Sequence, residues 1–199
     1  MIIEHAKIIE NEEQRNGRNK DTLINHHYIN SGKYKRKFDQ ISDVPQLSRL
    51  LYQIAKKALN HRSGTKYEDM YWIDLDTLDV VAKETDSTLE KSIVYSVSTE
   101  QKIKKYDNLL TIHTHPDSFP PSIDDLNSNF LNGYVAGIVL CHNGKVYLYS
   151  ANEEISKKYY ELVVENYIKS GYNEDRAQIL ALLELQKNFD VDFKEVIVE

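Results

Sequence analysis

Apolar residues first recur at helical spacing at Leu47, Leu50, Leu51, Ile54, Ala55, Ala58 and Leu59. This pattern predicts a one-faced amphipathic helix that opens at Asp43-Val-Pro45 and runs to about Asn60, with the proline at a first helical position. His61-Arg-Ser-Gly-Thr65 breaks it, and the period then changes. Tyr67–Leu75 and Thr77–Lys83 are short β-rich runs joined by an Asp-rich turn, which predicts a hairpin. Ser92–Val97 predicts a third strand. Leu109–His115 predicts a fourth, buried and central because of its apolar start, and Pro116 ends it because proline cannot donate to a sheet ladder. A loop carrying Pro120-Pro121 leads into a helix from about Ile123 to Leu131. Tyr134–Leu140 and Lys145–Ser150 predict a second hairpin across Cys141-His-Asn-Gly144, with Asn-Gly as the turn signal. Two polar, amphipathic helices follow at about Asn152–Lys169 and Asn173–Asn188.

Residues 11–33 are rich in Asn, Gly, Arg and Lys and show little periodicity, so residues 1–40 are expected to form a flexible or locally ordered arm. The order of the remaining elements predicts one α/β domain over residues 41–151 and a C-terminal helical extension over 152–199, packed on the core. A length of 199 residues suits this single domain. The net charge of −6 argues against a nucleic-acid binder, which needs a basic face to neutralise phosphates; the basic run Lys33-Tyr-Lys-Arg-Lys37 is read as a solvated stretch. Cys141 is the single cysteine, so an internal disulfide is excluded, and it is read as a small core residue. Neither a run of eighteen apolar residues nor a charged-then-apolar leader is present, and the expectation is a soluble, cytoplasmic protein without membrane contact.

The candidate chemistry lies in His113-Thr-His-Pro-Asp-Ser-Phe-Pro-Pro-Ser-Ile-Asp-Asp125. Positions i and i+2 of a strand share a face, so His113 and His115 can present their imidazoles, favoured zinc ligands, side by side. Asp125 opens the next helix, where a carboxylate is favoured by the helix dipole. Two histidines and one carboxylate leave a fourth tetrahedral position for water, the mark of a catalytic rather than a structural zinc site. Such an ion lowers the pKa of its water towards roughly 7 and polarises a carbonyl. The water also needs a base that is not a ligand. Glu68 and Asp69 open the first hairpin, whereas Glu84 and Glu90 lie at its far end in an exposed turn; Glu68 is the preferred base. Each residue also has an ordinary structural reading. A strand His-x-His can be two packed histidines, Ser122-Ile-Asp-Asp125 is a good capping box, His142 beside Asn-Gly is a turn residue, and Tyr71-Trp72 belongs to the core. The conjunction of a histidine pair, a proline and S-x-x-D is what favours the metal site.

Together these residues resemble the JAMM signature of the JAB/MPN metalloprotease family: H-x-H-P, then S-x-x-D, with a glutamate upstream. The resemblance covers roughly residues 45–150. It implies a mixed sheet flanked by helices, of the kind shared with cytidine deaminases, and a zinc-dependent peptidase or isopeptidase acting on a protein or peptide. It further implies that His113, His115 and Asp125 ligate Zn2+, that Glu68 activates the water, and that Ser122 stabilises the oxyanion, a role in which one donor is worth roughly 3 kcal/mol. The gap between Pro116 and Ser122 is one residue shorter than in the commonest eukaryotic deubiquitinase pattern and resembles the bacterial and phage branch. Tyr34–Phe38, His61–Thr65, Tyr67–Trp72 and His113–Asn127 are similar to JAB-like domains of Gram-positive phages and prophages. That similarity implies a phage-encoded or co-encoded partner, and as the alternative function a head-morphogenesis or interaction protein that keeps the fold. A nucleobase deaminase is set aside, because its H-x-E and C-x-x-C ligands are missing.

Overall fold

Residues 20–198 are described by the computed structural model. A 3-10 turn at Lys20–Thr22 precedes two short helices, α1 (His26–Ile29) and α2 (Gly32–Asp39). Each has a polar N-cap: Asn25 accepts a hydrogen bond from Tyr28 N, and Ser31 accepts one from Tyr34 N. The main amphipathic helix, α3 (Pro45–Arg62), starts at the proline as its sequence predicts. Its apolar stripe of Leu51, Ile54, Ala55, Ala58 and Leu59 is buried, and on it lie Ile29, Tyr34 and Phe38.

That packing corrects the expected arm. Over the described part, residues 20–40 belong to the core: Tyr34 and Phe38 are fully buried and meet edge-to-face at 5.4 Å. Lys37 is buried as well, its Nζ donating to Val196 O at 3.0 Å, so the basic run is not wholly solvated. Residues 1–19, the rest of the expected arm, lie outside the described residues.

The strands are β1 (Met70–Asp74), β2 (Asp79–Glu84), β3 (Leu109–His115), β4 (Ala136–Cys141), β5 (Val146–Ala151) and β6 (Val191–Glu195). They form one mixed sheet in the order β2-β1-β3-β4-β5-β6. Only β3 and β4 run parallel; the other neighbours are antiparallel. A helix, α4 (Val97–Ile103), separates β2 from β3, and α5 (Ile123–Asn132) makes the crossover from β3 to β4. After β5 come α6 (Lys157–Lys169) and α7 (Glu174–Asn188). The chain is therefore α/β, a six-stranded mixed sheet with helices on both faces.

Strand alternation sorts the side chains. Tyr71, Ile73, Ile112, Ile138 and Leu140 point to the face covered by α3. Val139, Cys141, Tyr147 and Tyr149 point to the other, against Leu126 of α5, Val163 of α6 and Leu182 of α7. Trp72 and Cys141 are thus core residues, as expected. His142 is more than a turn residue, being buried with Nδ1 donating to Thr22 O at 2.5 Å.

Two further expectations are corrected. Ser92–Val97 is not a strand; Ser96 caps α4 by accepting from Thr99 N at 3.2 Å, which commits the end of that run to a helix start. Residues 152–199 are not a purely helical extension, since β6 completes the sheet beside β5. No helix among the described residues is long and apolar enough to cross a membrane.

Candidate metal centre

The centre forms where the carboxyl end of β3 meets the amino end of α5. On β3, His113 and His115 alternate onto the α5 side of the sheet, and their Nε2 atoms stand 3.0 Å apart. The helix brings Asp125 to the same point: Oδ1 is 3.2 Å from His113 Nε2, and Oδ2 is 3.4 Å from His115 Nε2. All three residues together could hold a metal ion. A tetrahedral ion with bonds of about 2.0–2.1 Å spaces its ligand atoms about 3.3–3.4 Å apart. The two edges that share His113 Nε2, 3.0 Å to His115 Nε2 and 3.2 Å to Asp125 Oδ1, come close to that size, and His115 lies against the other carboxylate oxygen.

Hydrogen bonding orients two of the three ligands. His115 Nδ1 is 3.0 Å from Phe119 O. A carbonyl only accepts, so Nδ1 carries the proton and Nε2 is left as the ligand atom. Asp125 Oδ2 accepts from Ser122 N at 2.7 Å and from Ser122 Oγ at 2.8 Å, which leaves Oδ1 for an ion. Ser122 Oγ in turn accepts from Asp125 N at 3.1 Å, completing a capping box. The serine proton is therefore directed at Asp125. In this arrangement the Ser122 hydroxyl holds a ligand of the candidate centre.

Glu68 precedes β1 but follows its ladder. Met70 pairs with His113, and Asp69 O still accepts from Thr114 N at 3.1 Å, so continuing the antiparallel register sets Glu68 opposite His115. By alternation it shares the face of Met70 and the histidines. It is buried, and it lines a cavity of about 600 Å3 together with His113, His115 and Asp125. Neighbouring Asp69 is fully buried and engaged elsewhere, by Arg62 Nε at 2.5 Å and His61 Nδ1 at 2.8 Å, which anchors this stretch to α3. Glu84 hydrogen-bonds Ser96, and Glu90 is exposed beside Lys66. Glu84 ends β2 opposite Met70 instead of lying in the expected turn.

Electrostatics separate the two carboxylates. Burial pushes Glu68 upward, and the nearby His115 and His113 offset this only in part. Burial acts on Asp125 in the same sense, but the charges and hydrogen bonds of His113 and His115 outweigh it and hold the group well below the usual range. His115 is raised to about 9: burial lowers it, and the hydrogen bond and charge of Asp125, followed by the charge of Glu68, more than compensate.

Several residues of the site escaped the sequence reading. Tyr149 forms part of the wall, its ring 6.4 Å from that of His113. The signal for it was Gly137 inside a strand, which marks a close approach. Asn129 also lines the cavity, and its spacing of four from Asp125 on a helix would have found it. Lys91 and Asp117 form an ion pair across the cavity rim that no local pattern announces. Comparison of the chain with protein-family models, curated proteins and solved structures finds no match, so the functional reading rests on this geometry.

Proposed function

We propose that the chain is a zinc-dependent hydrolase of the JAB/MPN kind that cleaves a peptide or isopeptide bond. The observation that carries this reading is the convergence of His113 Nε2, His115 Nε2 and the Asp125 carboxylate, with Glu68 across the β1–β3 ladder from His115. A divalent ion bound there supplies Lewis acidity, lowering the pKa of a water and polarising a carbonyl. Glu68 accepts a proton from the attacking water as its oxygen bonds the carbonyl carbon. It then delivers that proton to the leaving nitrogen as the C–N bond breaks. Burial raises this carboxyl, which strengthens it as a proton acceptor. Ser122 keeps Asp125 in place through both of its hydrogen bonds. The substrate is a protein or peptide, and proteins co-encoded with the chain are the first to try.

The test compares zinc-loaded wild type with Glu68→Gln on peptide-linked and lysine-isopeptide-linked substrates. Wild type is expected to cut one of the two classes, and Glu68→Gln to keep its zinc while turnover falls by about 10²–10⁴-fold. A fully active Glu68→Gln would move the base to another residue, and zinc-loaded wild type inert towards both classes would remove the peptidase reading.

A further inference from the structure

The two edges of the sheet are built differently. At one, β2 joins β1 through a register shift between Trp72 and Ile73, a bulge of the kind that keeps other strands away from an edge. At the other, β6 keeps one register with β5 from Tyr147 opposite Glu195 to Ala151 opposite Val191. No strand among the described residues lies on the outer side of β6.

The bonds at the two ends of β6 say which of its backbone groups face outward. Asn152 N donates to Asp190 O at 2.9 Å, and Val196 N donates to Val146 O at 2.8 Å. Hydrogen-bonded positions alternate along an antiparallel ladder, so Asp192 and Lys194 also turn their backbone groups towards β5. Val191, Phe193 and Glu195 turn theirs away from the sheet. Val191 N is engaged by Phe189 O at 2.9 Å. The N–H groups of Phe193 and Glu195 and the carbonyls of all three residues have no partner among the described residues.

The side chains alternate as well. Val191 and Phe193 are buried with Leu182 and Leu185 of α7. Asp192 and Lys194 point to the opposite face, where both are exposed and neither forms an ion pair among the described residues.

We propose that β6 is a dimerisation edge, on which a second copy of the chain lays its own β6 antiparallel, centred on Phe193. Phe193 then exchanges both backbone bonds with Phe193 of the second copy, and Glu195 N donates to Val191 O of that copy. Asp192 stands opposite Lys194 of the second copy, and Lys194 opposite its Asp192. These are non-hydrogen-bonded pairs, whose side chains lie closest, and opposite charges placed there are stabilising. The smallest slide that keeps outward groups paired sets Asp192 against Asp192, or Lys194 against Lys194, and like charges directly opposite are destabilising. The charges therefore select one register, and the partner they fit is another β6.

The test is sedimentation equilibrium of the full-length chain across a dilution series, with and without zinc. Wild type is expected to reach twice the chain mass of 23.2 kDa in both conditions, since the candidate ligands lie on β3 and α5. Asp192→Lys and Lys194→Asp each bring like charges together, and each is expected to weaken the dimer by about tenfold or more. An equimolar mixture of the two variants restores opposite charges at both positions, so a mixed dimer should form as readily as the wild-type one. Both side chains are exposed, so thermal unfolding of dilute samples should stay near wild type. Wild type at the mass of one chain throughout the series overturns the proposal, as does a dimer indifferent to both reversals or a mixture that stays dissociated.

Discussion

Gly137 and Tyr149 face each other across the β4–β5 ladder, and a Cβ on Gly137 would lie 2.1 Å from Cζ of the tyrosine. The ring lies over the strand because glycine leaves that space open, and it stands nearly perpendicular to the His113 ring with 6.4 Å between centres. Gly137→Ala must displace the ring. Overpacking of this kind costs about 1–3 kcal/mol, so thermal unfolding should move to lower temperature and the wall of the cavity should shift. An alanine variant as stable as wild type, with Tyr149 unmoved, would show that the contact is not tight.

Ser122→Ala removes the N-cap of α5 together with the hydroxyl that holds Asp125. Loss of a cap costs about 0.5–2 kcal/mol, and loss of an outer hydrogen bond to a metal ligand typically costs 10–100-fold in affinity. Both effects should appear together in chemical unfolding and zinc titration. A variant that loses turnover while stability and zinc affinity stay at wild-type values would favour the expected oxyanion role of Ser122.

The metal-free protein should respond to pH through His115. Burial lowers this imidazole, and Asp125 and then Glu68 raise it, the net result being about 9 against an ordinary 6.5. A raised value means that the folded state binds the proton more tightly than the unfolded chain. Its contribution to stability is therefore full below pH 6.5 and disappears as pH rises through about 9. An entering cation must displace that proton, so zinc affinity runs the other way and tightens as pH rises. Urea unfolding of chelator-treated protein across this window, paired with zinc titrations, measures both; zinc binding that weakens with rising pH over the same range would contradict the assignment.

What could be read from the sequence was local. His113-x-His115 follows from strand alternation, and Ser122 and Asp125 follow from capping, so neither needs a distant partner to be recognised. Glu68 needed the β1–β3 register; the sequence favours it only by reading Glu84 and Glu90 as turn residues, and Glu84 ends β2 instead. Residues 20–40 were misread because Ile24, Ile29, Tyr34 and Phe38 are too widely spaced to form a stripe; they are buried only because the face of α3 accepts them. Ser92–Val97 carries β-branched residues, yet Val94 is exposed and Ser96 is drawn into the cap of α4. The last strand was missed for a similar reason, since Val191 and Phe193 become core residues only once β5 is beside them.

Truncation should now give the opposite of what an independent arm implies. Deleting residues 1–40 strips Tyr34 and Phe38 from α3 and Lys37 from Val196 O. Phe38→Ala alone is expected to cost about 3–5 kcal/mol, and the deletion should abolish cooperative unfolding. Cooperative unfolding of the truncated chain near the wild-type midpoint would restore the arm as a separate unit.

The most direct test of the account is the zinc stoichiometry of purified wild-type protein, measured beside His115→Ala and followed by X-ray absorption at the zinc edge. One zinc per chain is predicted for wild type, with two imidazole nitrogens and a carboxylate oxygen at about 2.0–2.2 Å, and no tightly held zinc in His115→Ala. Wild type that neither carries zinc nor gains thermal stability when zinc is added, or His115→Ala that keeps the full complement, would contradict it.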